Sequence, residues 1–598
     1  LPEEKKEEIM QNSDLLQEES EQVIKKIQEI EKDLKNKIEQ LDYKIGLEVV
    51  GHHMTPLQRK YQDNEKVFNY LKCVKEDILE NLYQFTHAEE EEEEDGLTSV
   101  LPWLTKTGKE EFRLKYAVNL LVDHTKTQGA PVIIDFNPTF YNLLGKIEYE
   151  NEFGNLKTDF TKIHPGLFHE ANGGYLILQI QDVLSNPQAW ELIKRVLKTK
   201  EVSIENLREQ LLGVAVSSLK PEPIPLTMKV ILIGNPSLYH LLYEYDEDFK
   251  KLFKIRADFD TRMVKTDTSV RQLVTFIHQF SEEQGLKKFH VSALEKIIEY
   301  ASRLAESRNK LTTRFNQIVE ILYESNAWAQ MDQSDEVCSI HVKKAIREKA
   351  QRSNLYEEKM EEMIEEQMLM IETSGSYIGQ INGLAVLDGG DYIFAKPTRI
   401  TATTYMGKAG IINIEKESNL SGRVHTKGVQ VLSGYLGQTY AQEFPLSLSC
   451  QICFEQSYYG IDGDSASTAE LYAILSSLAE IPIDQGIAVT GSLNQRGEIQ
   501  PIGGVTHKIE GFFKLCQQRG LTGNQGVLIP KQNVQELVLK EEVMEAIAQG
   551  QFHIYPITHV DEGIEVLMEI PAQEVHQQVS KKLKGFYERS IVKKEGKC

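Results

Sequence analysis

The chain reads as a multidomain protein: a helical hairpin arm, an α/β sheet domain followed by a small helical domain, and a C-terminal α+β domain. Three observations predict this. Apolar residues recur at three- and four-residue steps through the first 50 positions, near-continuous apolar runs alternate with helical segments in the middle, and Gly-rich strand patterns dominate from about residue 370. At 598 residues the chain also exceeds what one hydrophobic core supports.

The arm comes first. Leu16, Val23, Ile27, Ile30, Leu34, Ile38, Leu41 and Ile45 form an apolar stripe, and Gly51-His52-His53-Met54-Thr55-Pro56 reads as its break. Tyr61, Phe68, Leu71, Ile78 and Leu82 continue it in a second helix, so an antiparallel hairpin is expected, acting as spacer, scaffold or substrate-contacting arm. His52-His53 has no cysteine or carboxylate cluster beside it and reads as a turn; no metal site is expected in the chain. Glu89 to Glu94 with Asp95 is a run of seven acids, the signature of a flexible linker, and closes this first region at residue 95.

From 96 to 265 the candidate strands are Ala117–Val122, Val132–Asp135, Tyr175–Leu178 and Lys229–Gly234. The last two are apolar throughout, as in a parallel sheet buried on both faces. Residues 266–352 read as helical. There, Ser292-x-x-Glu295 is a capping box opening a helix over Ala293–Ala305, with a second helix over Arg314–Met331. A charged linker covers 353–369. The C-terminal domain spans 370–575, with strands at Tyr377–Leu387, Tyr392–Tyr405, Gly410–Glu415 and Ser447–Phe454, helices at 466–479 and 506–518, and the strand Ile487–Asn494 between them. A basic tail at 576–598 reads as a solvated helix or frayed end.

Composition narrows the function classes. Hydrophobic content of 41% and charged content of 26% are those of an ordinary globular protein. The formal net charge of −23 argues against a nucleic-acid binder, whose phosphate contacts need basic surface. No run of 18 apolar residues and no signal-peptide pattern occurs, so no membrane partner is expected and a cytoplasmic setting fits. Six cysteines make no disulfide framework. Cys450 and Cys453 lie in an alternating strand, where positions three apart point to opposite faces. The chain starts with Leu in mid-pattern, as a piece of a longer protein would.

Chemistry concentrates between Gly463 and Lys508. Ser465 sits between small residues at a loop-to-helix junction, with Ser467-x-x-Glu470 as a capping box for the helix that follows. A hydroxyl there lies beside unpaired N–H groups and the positive end of a helix dipole, which suits an oxyanion; it equally suits a plain N-cap. Lys508 follows 43 positions later, after Pro501-Ile502-Gly503-Gly504-Val505. It can act as a base only if desolvation brings its pKa down from about 10.4 toward 7–8; otherwise it is an exposed helix lysine. Thr490, ending an apolar strand, can orient that lysine. Asp464 can pull it into an ion pair and hold the site inactive. A Ser-His-Asp site is disfavoured, because Gly463-x-Ser465-x-Ser467 lacks the last glycine of a nucleophile elbow and His507 has no evident Asp partner.

These residues resemble a known family. Gly463-Asp464-Ser465-Ala466-Ser467, Thr490-Gly491-Ser492-Leu493-x-x-Arg496-Gly497-Glu498 and Pro501-Ile502-Gly503-Gly504-Val505-x-x-Lys508 closely resemble the Lon protease domain. The likeness extends to Gly379-Gln380-Ile381-Asn382-Gly383-Leu384 and Phe454-Glu455-Gln456, covering about 370–570. It implies a Ser-Lys dyad with Ser465 as nucleophile and Lys508 as general base, and Glu455 in a supporting place. The reaction implied is peptide-bond hydrolysis through an acyl-enzyme, on unfolded or damaged polypeptides inside a homo-hexameric chamber.

The middle of the chain resembles the AAA+ module of the Lon branch. His164-Pro165-Gly166-Leu167-Phe168-His169-x-Ala171-Asn172-Gly173-Gly174 looks like the lead-in to its Walker B strand. Asn235 looks like sensor 1, Arg314 like a sensor-2 arginine and Arg256 like an arginine finger. No Gly-x-x-x-x-Gly-Lys-[Ser/Thr] occurs in the chain, and Gln179 and Ile180 stand where acids should end the Walker B strand, with Asp182 only later. Peptide cleavage needs no cofactor, and weak or absent ATP hydrolysis is the expectation. The alternatives are an ATP-dependent Lon protease whose Walker A lies upstream of Leu1, and a non-proteolytic AAA+-like chaperone or scaffold.

Overall fold

The computed structural model describes residues 3–86, 114–152, 155–205, 219–390, 392–458 and 460–595. The acidic run Glu89–Asp95 lies outside them. The chain divides into two compact units, Leu1–Arg256 and Ala257–Cys598.

In the first unit, α1 (Glu3–Lys60) is longer than the sequence reading, because it does not break at Gly51–Pro56. Pro56 is accommodated inside it despite the lost backbone hydrogen bond, and His52-His53 are helical rather than a turn. The chain reverses at Tyr61–Asn64, where Asn64 caps α2 (Glu65–Glu80) by accepting from the Val67 N–H. The chain just after α2 packs so closely on α1 at Gly46 that a Cβ there would lie 2.6 Å from Leu82. Leu16, Val23, Ile27, Ile30, Leu34, Ile38, Leu41 and Ile45, the stripe of α1, are exposed.

The α/β part has a three-stranded parallel sheet of β1 (Val132–Asp135), β2 (Tyr175–Gln179) and β3 (Lys229–Ile233), in that order. Ala117–Val122 is not a strand. One sheet face packs on a core with Leu176, Leu178, Phe168 and, from α3 (Pro187–Thr199), Leu192, Ile193 and Val196. The expected burial on both faces is not found: Val132, Ile134, Ile231 and Ile233 point outward and are exposed. Helix α4 (Pro236–Tyr245) follows β3 directly.

The second unit begins with four helices, α5 (Asp267–Glu283), α6 (Val291–Leu304), α7 (Phe315–Met331) and α8 (Ser339–Ser353), around a core of Leu273, Ile277, Ile297, Ile318, Ile321 and Val342. The Ser292 capping box is absent: His290 is the N-cap and its ring accepts from the Ser292 N–H. The charged stretch read as a linker is largely helical, as α9 (Leu355–Glu365), with Ile364 buried.

The C-terminal domain is built on a seven-stranded mixed sheet. Its strands are β4 (Gln380–Asp388), β5 (Ile393–Met406), β6 (Gly410–Asn413), β7 (Leu448–Phe454), β8 (Ile487–Val489), β9 (Gly526–Pro530) and β10 (His553–Ile557), in spatial order β6-β7-β5-β4-β8-β9-β10. Side chains alternate across it. Ile381, Ile452, Val489 and Leu528 join a core with α10 (Arg423–Tyr440) and α11 (Ser467–Ala479), while Leu384, Ala488, Val527 and Ile529 join another with α12 (Val505–Arg519). Helix α11 is buried nearly all round, as its apolar sequence requires. Helices α13 (Val560–Met568) and α14 (Ala572–Glu595) complete the first core. The segment read as a solvated tail is therefore structural: its Val579, Leu583 and Phe586 on α14 are buried in that core.

Candidate active site

Helices α11 and α12 lie on opposite faces of the sheet, and their N-terminal ends meet at the end of β8. Ser465 precedes α11 by two residues, Lys508 sits in the first turn of α12, and Thr490 is the residue after β8. Local sequence sets each position. Gly463 and Gly504 adopt positive φ (94° and 69°), which turns the chain into the two helices. The Ser465 carbonyl is tied to the strand end by the Gly491 N–H (2.8 Å) and, more loosely, by the Thr490 hydroxyl (3.3 Å). The loop before α12 is clipped by buried Asn533, whose side chain accepts from the Ile502 N–H (2.9 Å) and donates to the Ile502 carbonyl (2.8 Å).

The two side chains touch. Lys508 Nζ donates to Ser465 Oγ at 2.8 Å and to Thr490 Oγ1 at 3.0 Å. Only 3% of Lys508 is exposed, and burial pulls its pKa down from 10.5 to about 8, with the Asp464 charge opposing. The Asp464 carboxylate accepts from the Ser492 hydroxyl at 2.9 Å, and no ion pair joins it to Lys508 among the described residues. The inactive arrangement considered for Asp464 is not the one adopted. A deprotonated Lys508 in this place can take the Ser465 proton.

Ser467 does not act as half of a capping box. Its hydroxyl donates to the Asp464 carbonyl, and Ala466 is the N-cap of α11. Glu470 cannot reach back either. It is fully buried, neither of its oxygens has a hydrogen-bond partner, and burial raises its pKa to about 8. The buried Glu415 carboxylate adds to that rise, and His425 Nε2 lies 3.5 Å from Glu470. Cys450 and Cys453 lie on β7 as free thiols, both raised by burial, to about 12 and about 11.

The remaining expected residues lie elsewhere. Glu455 follows β7 and holds the Arg399 guanidinium at 2.6 Å. His507 is pushed toward its neutral form by burial. In the first unit, the Asn235 side chain is taken up in capping α4, accepting from the Leu238 N–H (2.8 Å), and the Arg256 guanidinium lies 4.3 Å from the Tyr239 ring centre. Arg314 lies in the second unit, just before α7. A Mg²⁺-nucleotide does not fit the end of β2. Gln179 brings no charge to it, and Ile180 is buried so close to Gly234 that a Cβ there would lie 2.3 Å from its Cγ2. Asp182 is carried away on the short helix Ile180–Leu184. Sequence reading gave no role to Ser492 or Asn533. Ser492 is two positions from Thr490 and could have been found from that strand end, whereas nothing local marks Asn533, which acts on a loop 31 residues away.

A serine and a buried lysine converge at one strand end of the sheet, an arrangement a serine-type peptidase can use. Family models agree and extend the match along the chain: a LonB-like AAA domain over 128–260, an archaeal LonB AAA+ ATPase lid domain over 288–352, and the Lon protease (S16) C-terminal proteolytic domain over 354–570. A Lon protease homolog of Escherichia coli (strain K12) is 33% identical over 435 residues, 71% of this chain and 72% of its own. One from Haemophilus influenzae is 33% identical over 67% of this chain and 66% of its own, and an archaeal Lon protease of Thermococcus kodakarensis 28% over 75% and 68%. The chain belongs to the Lon protease family. No helix among the described residues is long and apolar enough to cross a membrane.

Proposed function

We propose that the chain is an endopeptidase in which Ser465 is the nucleophile and Lys508 the general base. The observation that carries this reading is the 2.8 Å hydrogen bond between them at a buried lysine whose pKa is lowered to about 8. Neutral Lys508 accepts the hydroxyl proton as Ser465 Oγ adds to the substrate carbonyl. The C–N bond then breaks, and the Lys508 ammonium returns the proton to the leaving amine, leaving an ester on Ser465. Water, deprotonated by the same lysine, hydrolyses that ester, and Ser465 regains its proton. Thr490 orients the lysine amine. Asp464 sets the basicity of Lys508 through its charge.

The substrates in this reading are unfolded or damaged polypeptides, cleaved inside a homo-hexameric chamber in the cytoplasm. The arm (1–95), the α/β domain (96–265) and the helical domain (266–352) serve as scaffold and substrate gate, joined through 353–369 to the peptidase domain. Gln179 and Ile180 support weak or absent ATP hydrolysis.

Casein or fluorogenic-peptide cleavage by wild type, Ser465→Ala and Lys508→Ala tests the dyad; equal residual activity in all three overturns it. Phosphate release at a rate ordinary for AAA+ proteases, abolished by altering Asp182, overturns the reading of the nucleotide site.

A further inference from the structure

His425 lies in the first turn of α10, only 1% exposed, and hands no proton to Ser465 or Lys508. An imidazole buried without partners costs free energy, so each of its polar contacts counts. The ring packs edge-on against Phe454, with centres 5.2 Å apart. Burial lowers its pKa against the pull of the Asp462 charge, which leaves the ring neutral near pH 7 with a single N–H to place.

Asn413, at the end of β6, decides which nitrogen carries that proton. Its Oδ1 accepts from the Lys416 N–H at 3.1 Å, so the amide turns its Nδ2 donor toward His425 Nε2, 3.0 Å away. Nε2 is therefore the acceptor and Nδ1 bears the proton. The ring also hydrogen-bonds the Gly463 backbone, and this contact favours protonation, as a bond from Nδ1–H to a carbonyl does.

Gly463 begins the turn that carries Ser465, with φ at 94°. Its N–H donates to the Asp462 carboxylate at 2.8 Å, which also accepts from the Val424 and His425 N–H groups at 3.0 and 3.2 Å. The turn is thus docked on the start of α10, with Asp462 the exposed hold and His425 the buried one. On the other side the Ser465 carbonyl is tied to the end of β8. Ser465 stands between these two anchors.

We propose that His425 is a positioning residue for the nucleophile: its Nδ1–H, fixed by Asn413, holds the Gly463 carbonyl and so sets where Ser465 Oγ stands relative to Lys508. The inference rests on Ser465 and Lys508 acting as the dyad. Misplacing a reacting atom by about 1 Å costs on the order of a hundredfold in rate, so a hold on this turn acts on kcat.

The test measures kcat and KM of the full chain on a fluorogenic peptide, with a melting curve for each variant. An asparagine places its amide nitrogen as many bonds from Cα as the histidine Nδ1, a glutamine places its own where Nε2 stands, and a leucine fills the space with no donor. His425→Leu and His425→Gln are expected to lower kcat by about tenfold to a hundredfold with KM within about twofold, and His425→Asn to recover most of the loss. A residue that only packs the core gives the opposite order, with His425→Leu more active than His425→Asn. Asn413→Ser keeps a hydroxyl cap for the Lys416 N–H and removes the amide donor, so kcat falls by a few fold; this variant carries the test if the His425 variants unfold. The proposal is overturned by wild-type kcat in folded His425→Leu, by the packing order, or by unchanged kcat in Asn413→Ser. Cleavage retained by Ser465→Ala overturns the dyad reading and this one with it, whereas cleavage lost there but complete in His425→Leu overturns this one alone.

Discussion

The Ser492 hydroxyl holds the Asp464 carboxylate at 2.9 Å, leaving Lys508 to place its hydrogen bonds on Ser465 and Thr490. An acid beside Ser465 is thus close enough to act on the lysine by its field, yet it is tied to another partner. The two residues of that bond give opposite predictions.

Removing the charge with Asp464→Asn withdraws the one influence that raises the Lys508 pKa. The rising limb of the pH–rate profile, set near 8 in wild type, is expected to move to lower pH. Ser492→Ala frees Asp464 to approach Lys508, so the limb moves to higher pH and activity at pH 7 falls. Peptide-cleavage profiles of kcat/KM between pH 6 and 10 check both shifts, and a common direction for the two variants would sink this account.

Lys508 itself links catalysis to stability. Its folded pKa of about 8 lies below the ordinary lysine value of 10.5, so the folded chain binds fewer protons than the unfolded one between those values. Stability from this group therefore rises with pH across that window, and below about pH 8 the buried ammonium costs on the order of 3 kcal/mol. Lys508→Met is expected to abolish cleavage while raising the melting temperature at pH 7, with the gain shrinking to nothing above about pH 10.5. Thermal melts at pH 7, 9 and 10.5 measure it.

Glu470 gives the reverse slope. Its folded pKa of about 8 lies above the ordinary glutamate value of 4.5, so the folded state binds the extra proton and stability falls as pH rises from 4.5 to 8. Glu470→Gln cannot ionise. Its melting temperature relative to wild type should climb steadily between pH 5 and pH 8, and a flat difference would show that the carboxyl does not titrate there.

Asn533 fixes the loop that presents Lys508 without touching it. Asn533→Ala strands the Ile502 N–H and C=O in a buried place, at a cost of about 1–3 kcal/mol for each group left unmet. Loss of stability by denaturant titration, with a drop in kcat larger than any change in KM, is the expected pattern.

Much of the C-terminal domain was legible because its chemistry is local. Gly463, Ser465, Gly504 and Lys508 sit in short motifs whose turn residues and spacing announce them. The misreadings have physical causes. Pro56 reads as a helix break because propensity penalises it, but α1 continues through it. The lysines of α14 read as a solvated end, although Val579, Leu583 and Phe586 of the same segment supply a buried stripe. Ser467 and Glu470 have capping-box spacing, yet Glu470 faces the core and Ser467 bonds to Asp464. Long-range partners such as Asn533 and Ile502, or Ser492 and Asp464, depend on which strand ends meet, and no local pattern encodes that.

The packing of α14 also joins distant parts of the chain. Val579, Leu583 and Phe586 share a core with Leu471, Ile474 and Leu475 of α11, the helix that follows Ser465. Phe586 lies more than 70 residues beyond Lys508, so the core is closed by residues far along the chain from the pair. The helix that follows Ser465 is therefore packed by side chains that come late in the chain, and the core around it is complete only with the last helix.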